Sequence, residues 1–321
     1  MISLLAAALS TLVSVTGLSV TGFALGSATD RLVADNAAGL TTLSVAGVSI
    51  TADGAWVARP TADVRRLAGT ARREGLRSEL LLSNYSNRQG GFDARAAHLL
   101  LGSRAHVDRV ATRLARFVRA QGWSGVNVDL ELVRRQDAEA LVRLVQALQD
   151  AMPEARTVSI DVSASTSLAA YRSHGYRLAS LASVADTIVL MAYDLHGPSW
   201  SGPGPIGPTD WQRRAATSAL EAVPAAQLDL GISGYGYTWP RGRPGGTVSV
   251  AGARRLVRAD GATAVWKQGY GEWRAQLANG TVVWWSDRRS YERRVALARE
   301  LGLHGVAVWR LGSADTLTAR G

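Results

Sequence analysis

Residues 123–131 read Trp-Ser-Gly-Val-Asn-Val-Asp-Leu-Glu, a short apolar run with polar side chains at every second position. Successive side chains of a β-strand point to opposite faces, so Asn127, Asp129 and Glu131 are predicted to share one face. A strand that is polar inside and aliphatic outside fits the wall of a barrel covered by helices. The stretch therefore predicts an inward polar ladder, with Glu131 at the carboxyl end of its strand.

Seven further apolar runs of strand length alternate with helical patterns, which predicts βαβ units and a parallel sheet. The eight predicted strands are Ser19–Leu25, Leu40–Ile50, Leu76–Ser83, Gly125–Glu131, Thr157–Ser163, Asp186–Tyr193, Leu228–Gly234 and Gly305–Trp309. Helical spacing of apolar residues is clearest over Ala62–Glu74, Arg104–Gln121 and Asp137–Met152. The count favours an α/β fold of the (β/α)8 TIM barrel type, with a doubly wound open sheet as the alternative.

Two segments depart from this alternation. Residues 240–285 are rich in glycine and tryptophan, and we interpret them as a small, mostly β insertion between strand 7 and the last helix. Residues 1–17 are apolar and have the character of a signal or leader segment, although no basic residue precedes the apolar run. A truncated start, or a helix over the barrel floor, fits them as well. Residues 18–321 are then one barrel domain.

Composition excludes several classes of function. The absence of cysteine excludes disulfides, thiol catalysis and zinc–thiolate sites. The formal charge of +10 comes from arginines scattered over helical patterns, so we expect no nucleic-acid partner. No glycine loop of the phosphate-binding type occurs, and the apolar run is too short for a stable membrane span. We expect no cofactor and no metal, since no close ligand spacing links the five histidines: His98, His106, His174, His196 and His304.

The two carboxyl groups of Asp129 and Glu131 are the candidate catalytic pair. Side chains two residues apart on a strand lie about 6–7 Å apart. Burying both is costly unless one of them holds a proton, and a carboxyl group that stays protonated near neutral pH can act as a general acid. A polar strand end capped by solvent is the alternative interpretation of so short a motif.

Residues 124–131 resemble the signature of glycoside hydrolase family 18, D-G-hydrophobic-D/N-hydrophobic-D-x-E, at the end of the fourth barrel strand. Ser124 stands at the first acidic position. Asp129 and Glu131, which match the two residues that do the chemistry in the family, are both present. Further motifs in the family's order resemble its bacterial spore-cortex and cell-wall-lytic subgroup: Met191-Ala192-Tyr193-Asp194, Gly202–Pro205, Leu230–Trp239, Trp284–Ser290 and Gly305–Gly312.

The resemblance implies a retaining, substrate-assisted hydrolysis of glycans that contain N-acetylglucosamine, with peptidoglycan or spore cortex favoured over chitin. Glu131 would be the acid/base, Asp129 would orient the substrate's acetamido group, and Tyr193 would donate a hydrogen bond to its carbonyl oxygen. The implied substrate-binding residues are Asn127, Met191, Asp194, Tyr235 and Trp309. A secreted or cell-wall location follows from such a substrate.

Two alternatives remain open at the level of the sequence. A sugar-binding barrel without catalysis is consistent with Ser124 and with Leu130 inside the motif. The tryptophans Trp200, Trp239, Trp284 and Trp285 either line a sugar groove or pack the insertion. The sequence does not predict an oligomeric state.

Overall fold

The computed structural model describes residues 17–318. Eight parallel strands form a closed barrel in which each strand pairs with its neighbours in the chain and the first strand also pairs with the last. The strands are β1 (Ser19–Leu25), β2 (Thr42–Ser49), β3 (Arg77–Ser83), β4 (Gly125–Asp129), β5 (Thr157–Ser163), β6 (Thr187–Met191), β7 (Leu228–Ser233) and β8 (Gly305–Trp309). The predicted (β/α)8 barrel is confirmed, and closure excludes the open sheet.

Helices cover the outside of the barrel. They are α1 (Asp30–Asn36), α2 (Ala62–Arg73), α3 (Ala94–Leu101), α4 (Arg104–Gln121), α5 (Ala138–Ala151), α6 (Leu168–Ser173), α7 (Leu178–Ala182), α8 (Thr209–Leu220) and α10 (Arg288–Glu300), whereas α9 (Val250–Asp260) belongs to the segment between β7 and α10. The local sequence sets the ends of α4, where the Ser103 hydroxyl accepts the N–H of His106 and Gly122 adopts the left-handed conformation. The three predicted helices agree with α2, α4 and α5 to within one residue at each end.

Two barrel strands end two residues earlier than the sequence predicts. β4 stops at Asp129 rather than Glu131, and β6 stops at Met191 rather than Tyr193. In both places the chain soon turns out of the barrel through a left-handed residue, Leu132 at φ 57° and Asp194 at φ 62°. A pattern of alternating side chains in the sequence can run on beyond the end of a strand. The strand itself ends where its backbone has no further hydrogen-bond partners on the neighbouring strands. Glu131 and Tyr193 therefore lie on loops at the barrel mouth.

The predicted insertion is a five-stranded antiparallel sheet with α9 packed beside it. Its strands are Gly236–Trp239, Gly246–Val248, Val265–Lys267, Glu272–Gln276 and Val282–Trp285. It starts four residues earlier than predicted because the first of these strands pairs with the last. Trp285 and Val283 lie in the small core that the sheet shares with α9.

A buried ion pair joins the insertion to the barrel. Glu272 and Arg294 have fully buried side chains, and Arg294 Nη2 lies 3.1 Å from Glu272 Oε1. The same carboxylate accepts the backbone N–H groups of Ile206 and Gly207 at 2.8 and 2.7 Å. Backbone bonds of this kind satisfy a buried charge and fix the segments that donate them. The loop after β6, which carries Asp194, is thereby tied to the insertion.

The segment of residues 1–17, interpreted from the sequence as a leader, a truncated start or a floor helix, lies outside the described residues apart from Gly17. Within residues 17–318, no helix has both the length and the hydropathy to cross a membrane.

Candidate active site

The site residues converge at the carboxyl ends of the barrel strands. Asp129, Met191 and Trp309 are the last residues of β4, β6 and β8, and Glu131 and Tyr193 lie two residues beyond their strands. This face of a TIM barrel is where its loops build active sites. The predicted pair and its predicted neighbours therefore surround one opening.

Asp129 lies at the wall of this opening and is almost completely buried, with 7% of its surface exposed. The hydroxyl of Ser83, at the end of β3, donates to Asp129 Oδ2 at 3.5 Å, and Oδ1 has no hydrogen-bond partner. Burial raises the pKa of Asp129 above its ordinary value, and the bond from Ser83 offsets part of this rise. The aspartate keeps one oxygen free.

Asn84 holds the backbone of Glu131 in place beyond the end of β4. The N–H of Glu131 donates to Asn84 Oδ1 at 2.9 Å, and Asn84 Nδ2 donates to the carbonyl oxygen of Glu131 at 2.9 Å. Asn84 is 1% exposed and also donates to the carbonyl oxygen of Asp93. The amide side chain thus replaces the strand pairing that Glu131 lacks. Its only signal in the sequence is a polar residue directly after β3.

We expect Asn84→Ala to lower kcat/KM by about 10- to 100-fold, because displacement of a catalytic group by about 1 Å has effects of this size. Asn36→Ala is the matched control. Asn36 is also buried, and its side chain likewise holds backbone in place. It donates to Leu32 O and accepts from Leu317 N, each at 2.8 Å, but it lies at the end of α1, away from the mouth. Thermal unfolding and steady-state kinetics of both variants test the role. Equal kinetic losses in the two variants would contradict it.

The carboxyl group of Glu131 is electrostatically suited to hold a proton. Burial is the main cause that raises its pKa to about 8, and the negative charges of Asp129 and Asp194 raise it further. At neutral pH the group is therefore mainly the protonated acid, which is the form needed to protonate a leaving oxygen.

Asp194 is fixed by two tyrosines beyond β7, Tyr235 directly after that strand and Tyr237 on the first strand of the insertion. The hydroxyls of Tyr235 and Tyr237 both donate to Asp194 Oδ1, the second at 2.9 Å. The indole N–H of Trp200 donates to the carbonyl oxygen of Asp194 at 3.2 Å. Tyr235 packs edge-on against Tyr193, with ring centroids 6.4 Å apart. Hydrogen bonds from these three side chains therefore hold Asp194, whose backbone is in the left-handed conformation, in place at the mouth.

Trp309 lies at the end of β8, across the barrel from β4, and also packs against the cluster that contains Tyr235 and Tyr237. Its ring lies 5.5 Å from that of Phe23 on β1 and contacts the apolar cluster inside the barrel that includes Leu81, Val189 and Ala307. Trp309 is only partly buried. An aromatic face that is held from below and open above is suited to stack against a sugar ring.

A sequence profile described as "Glycosyl hydrolases family 18" matches residues 23–314. The chain belongs to glycosyl hydrolases family 18. Its relatives include the cortical fragment-lytic enzyme of Bacillus subtilis, 25% identical over 274 residues, which are 81% of this chain and 62% of that protein. A Bacillus subtilis protein named as a sporulation-specific glycosylase, YdhD, is 27% identical over 231 residues, 69% of this chain and 55% of its own length. The chain thus spans little more than half the length of these curated relatives.

Solved structures of the family share the barrel. A chitinase from Chromobacterium violaceum superposes with a TM-score of 0.83 and 26% identity, covering 94% of this chain and 96% of that one. The spore cortex-lytic enzyme SleL of Bacillus cereus gives a TM-score of 0.84 at 21% identity, covering 94% and 73%, and this likeness concerns the fold. Family 18 membership and the barrel predicted from the sequence are both confirmed.

Several predicted residues have surroundings that the motif did not indicate. Asn127 is fully buried, and its Nδ2 donates to Ser159 and Asp161 within the barrel. Tyr235 is 4% exposed, and its hydroxyl is used by Asp194. Direct contact of Asn127 and Tyr235 with substrate stays a prediction. In the structure, both side chains form hydrogen bonds to other residues of the barrel and its mouth. Asn84, Tyr237 and the buried carboxyl of Asp161 were missed by reasoning from the sequence.

Ser124, which departs from the family signature, lies immediately before β4, at the end of the strand opposite to Asp129. Its hydroxyl accepts the backbone N–H of Ser78 on β3 at 3.0 Å. The departure therefore concerns strand pairing at the barrel floor and leaves the surroundings of the carboxyl pair intact.

The tryptophans divide into two groups. Trp239, Trp284 and Trp285 are buried at or within the insertion, while Trp200 keeps 55% of its surface exposed at the rim. Of the two interpretations left open, packing applies to the first three, and Trp200 is the candidate sugar platform. Across residues 17–318, no group of three or more acidic or histidine side chains is arranged to hold a metal ion.

Proposed function

We propose that the chain is a retaining glycosidase that cleaves glycans containing N-acetylglucosamine by substrate-assisted catalysis. The observation that carries the proposal is the carboxyl pair at the barrel mouth, in which Asp129 is buried, Glu131 is half-buried and the backbone of Glu131 is clamped by Asn84. Family 18 enzymes depart from the usual two-carboxylate scheme because the substrate's N-acetyl group is the nucleophile.

In the proposed mechanism, Glu131 donates its proton to the glycosidic oxygen as the bond to the anomeric carbon breaks. The acetamido carbonyl oxygen attacks that carbon and forms an oxazolinium-like intermediate. Asp129 stabilises the developing positive charge, and the Tyr193 hydroxyl holds the acetamido oxygen. Glu131, now a carboxylate, removes a proton from the attacking water, so that two inversions give retention. Met191 and Trp309 supply the apolar floor beneath the sugar, and no cofactor takes part.

We propose peptidoglycan or spore cortex as the substrate class. The curated relatives reported above are named as a cortical fragment-lytic enzyme and a sporulation-specific glycosylase, which supports this choice over chitin. Such a substrate favours a secreted or cell-wall location. N-terminal sequencing of the protein from its host tests export, and an intact Met1 in a cytoplasmic fraction would exclude a cleaved leader.

Incubation with purified peptidoglycan and, separately, with chitin oligomers tests the function. We expect new reducing ends next to N-acetylglucosamine in the peptidoglycan digest, identified by mass spectrometry. An analogue without the acetamido carbonyl should resist cleavage, since its nucleophile is missing. Binding without cleavage of any N-acetylated glycan would favour the sugar-binding alternative.

The pH dependence should be bell-shaped. Asp129 acts as the carboxylate, so activity is lost as pH falls through its pKa, which burial holds above the ordinary aspartate value. Glu131 acts as the acid, so activity is lost as pH rises through about 8. Measurement of kcat/KM from pH 4 to 10 tests both limbs. An alkaline limb at the ordinary glutamate value would contradict the assignment of Glu131.

A further inference from the structure

A third carboxyl group lies beside the catalytic pair. Asp161 is on β5, is 3% exposed and has no part in the mechanism above. β4 and β5 are parallel neighbours, with Asn127 opposite Ser159. Two residues further along each strand come Asp129 and Asp161, on the same inward face, and neighbouring strands are about 4.8 Å apart. Asp161 is therefore next to Asp129 across the barrel wall.

The hydrogen bonds around Asp161 leave one oxygen available. Asn127 Nδ2 donates to Asp161 Oδ1 at 2.8 Å and to Ser159 Oγ at 3.0 Å. Two buried acceptors close by, Asn127 Oδ1 and Asp129 Oδ1, have no donor. A buried acceptor without a donor is costly, and native structures rarely leave two together. A proton on Asp161 would supply a donor.

The charges that face Asp161 all oppose its ionisation. They belong to the carboxyl groups of Asp129 on β4, Glu79 on β3 and, in its ionised form, Glu131 in the loop beyond β4, and the hydroxyl of Tyr193 is also nearby. Burial, and then these carboxylates, raise the pKa of Asp161 well above its ordinary value, against a smaller opposing effect of the bond from Asn127. Burial and these neighbours therefore favour the neutral form of Asp161 over its carboxylate.

We propose that Asp161 is a positioning residue whose protonated carboxyl donates from Oδ2 to Asp129 Oδ1 and thereby keeps Asp129 as the carboxylate. Asn127 fixes the direction of this bond because it occupies Asp161 Oδ1. Asp129 is favoured over Asn127 Oδ1 as the acceptor, because hydrogen bonds to an ionised oxygen are about twice as strong as neutral ones. The proposal rests on the proposed function in one respect, the role of the Asp129 carboxylate in stabilising positive charge during glycan cleavage.

The proposal gives each of the three acids of the site a protonation state. Asp161 and Glu131 are protonated, and Asp129 is the carboxylate. The charge on Asp129 in turn raises the pKa of Glu131 and keeps it a proton donor. Replacement of Asp161 by a residue without a donor should therefore act first on Asp129 and on the acid limb of the pH profile.

Carboxyl ¹³C NMR of aspartate-labelled protein without substrate tests the protonation states directly. The samples are the wild type, Asp161→Asn, Asp161→Leu and the control Asp229→Asn, a buried aspartate on β7 that pairs with His304. Asp161 should remain protonated at pH 6 in the wild type. Asp129, assigned through Asp129→Asn, should titrate about one pH unit higher in Asp161→Leu but little differently in Asp161→Asn, whose amide still donates. An ionised Asp161 at pH 6 would overturn the proposal.

Kinetics give a second readout. At pH 6, kcat/KM of Asp161→Leu should fall about tenfold with KM nearly unchanged, since a shift of one pH unit changes the ionised fraction tenfold below the pKa. Asp161→Asn and Asp229→Asn should keep the wild-type acid limb. If Asp161→Leu folds and the acid limb of its pH profile is unchanged, the positioning role of Asp161 is also refuted. If that variant does not fold, the wild-type and Asp161→Asn titrations still decide. A wild type that cuts no glycan would refute the proposed function and leave the NMR test intact.

Discussion

Glu131→Gln should lower kcat by about 10²- to 10⁴-fold, the range contributed by a positioned general acid. Glutamine has nearly the same shape, and its amide still donates a hydrogen bond, but it has no transferable proton. The clamp from Asn84 acts on the backbone of residue 131 and is preserved in the variant. The fold and the placement of the side chain should therefore survive the change.

Glycan binding should also survive in Glu131→Gln, because the proposed floor and groove contacts come from Met191, Tyr193, Trp200 and Trp309. Isothermal titration with oligosaccharides and hydrolysis assays on wild type and variant, run side by side, test this separation. Loss of binding together with cleavage would indicate a structural role for Glu131. Equal behaviour of the two proteins, with binding and no cutting, would support the non-catalytic sugar-binding barrel.

Asp129→Asn should lower kcat by about 10²- to 10³-fold, as is typical when one preorganised electrostatic partner of a transition state is removed. The volume is nearly constant, and Ser83 can still donate to the amide oxygen. Loss of the negative charge should also lower the pKa of Glu131, because the charge of Asp129 contributes to raising it. The alkaline limb of the remaining activity should thus move to lower pH.

Asp229→Asn is the matched control for Asp129→Asn. Both aspartates are buried on barrel strands, but Asp229 lies on β7 and accepts from His304 Nδ1 at 2.7 Å, away from the carboxyl pair. Kinetics and thermal unfolding of the two variants separate loss of charge at the mouth from loss of a buried carboxylate in general. Turnover of Asp129→Asn close to that of the control would make Asp129 a structural residue.

Local sequence carries a large part of this fold. Strand-length apolar runs between amphipathic helical segments predicted eight strands and their closure, and the ends of α2, α4 and α5 were correct to within one residue. Apolar spacing and capping residues act over a few positions and are visible in the sequence. The polar alternation of residues 127–131 likewise placed the candidate pair at the correct end of β4.

What the sequence by itself determined is therefore the barrel, the position of Asp129 and Glu131 on it, and the family whose motif they carry. The tertiary structure decided which side chains act on that pair. Asn84 reaches Glu131 across 47 positions, and Asn127 reaches Asp161 across 34. Contacts of this kind arise only when the barrel closes and sets strands distant in sequence about 4.8 Å apart. The sequence predicted that one carboxyl of the pair would hold a proton, whereas the neighbours that set the pKa of each group are decided by the folded chain, because they depend on burial and on these contacts.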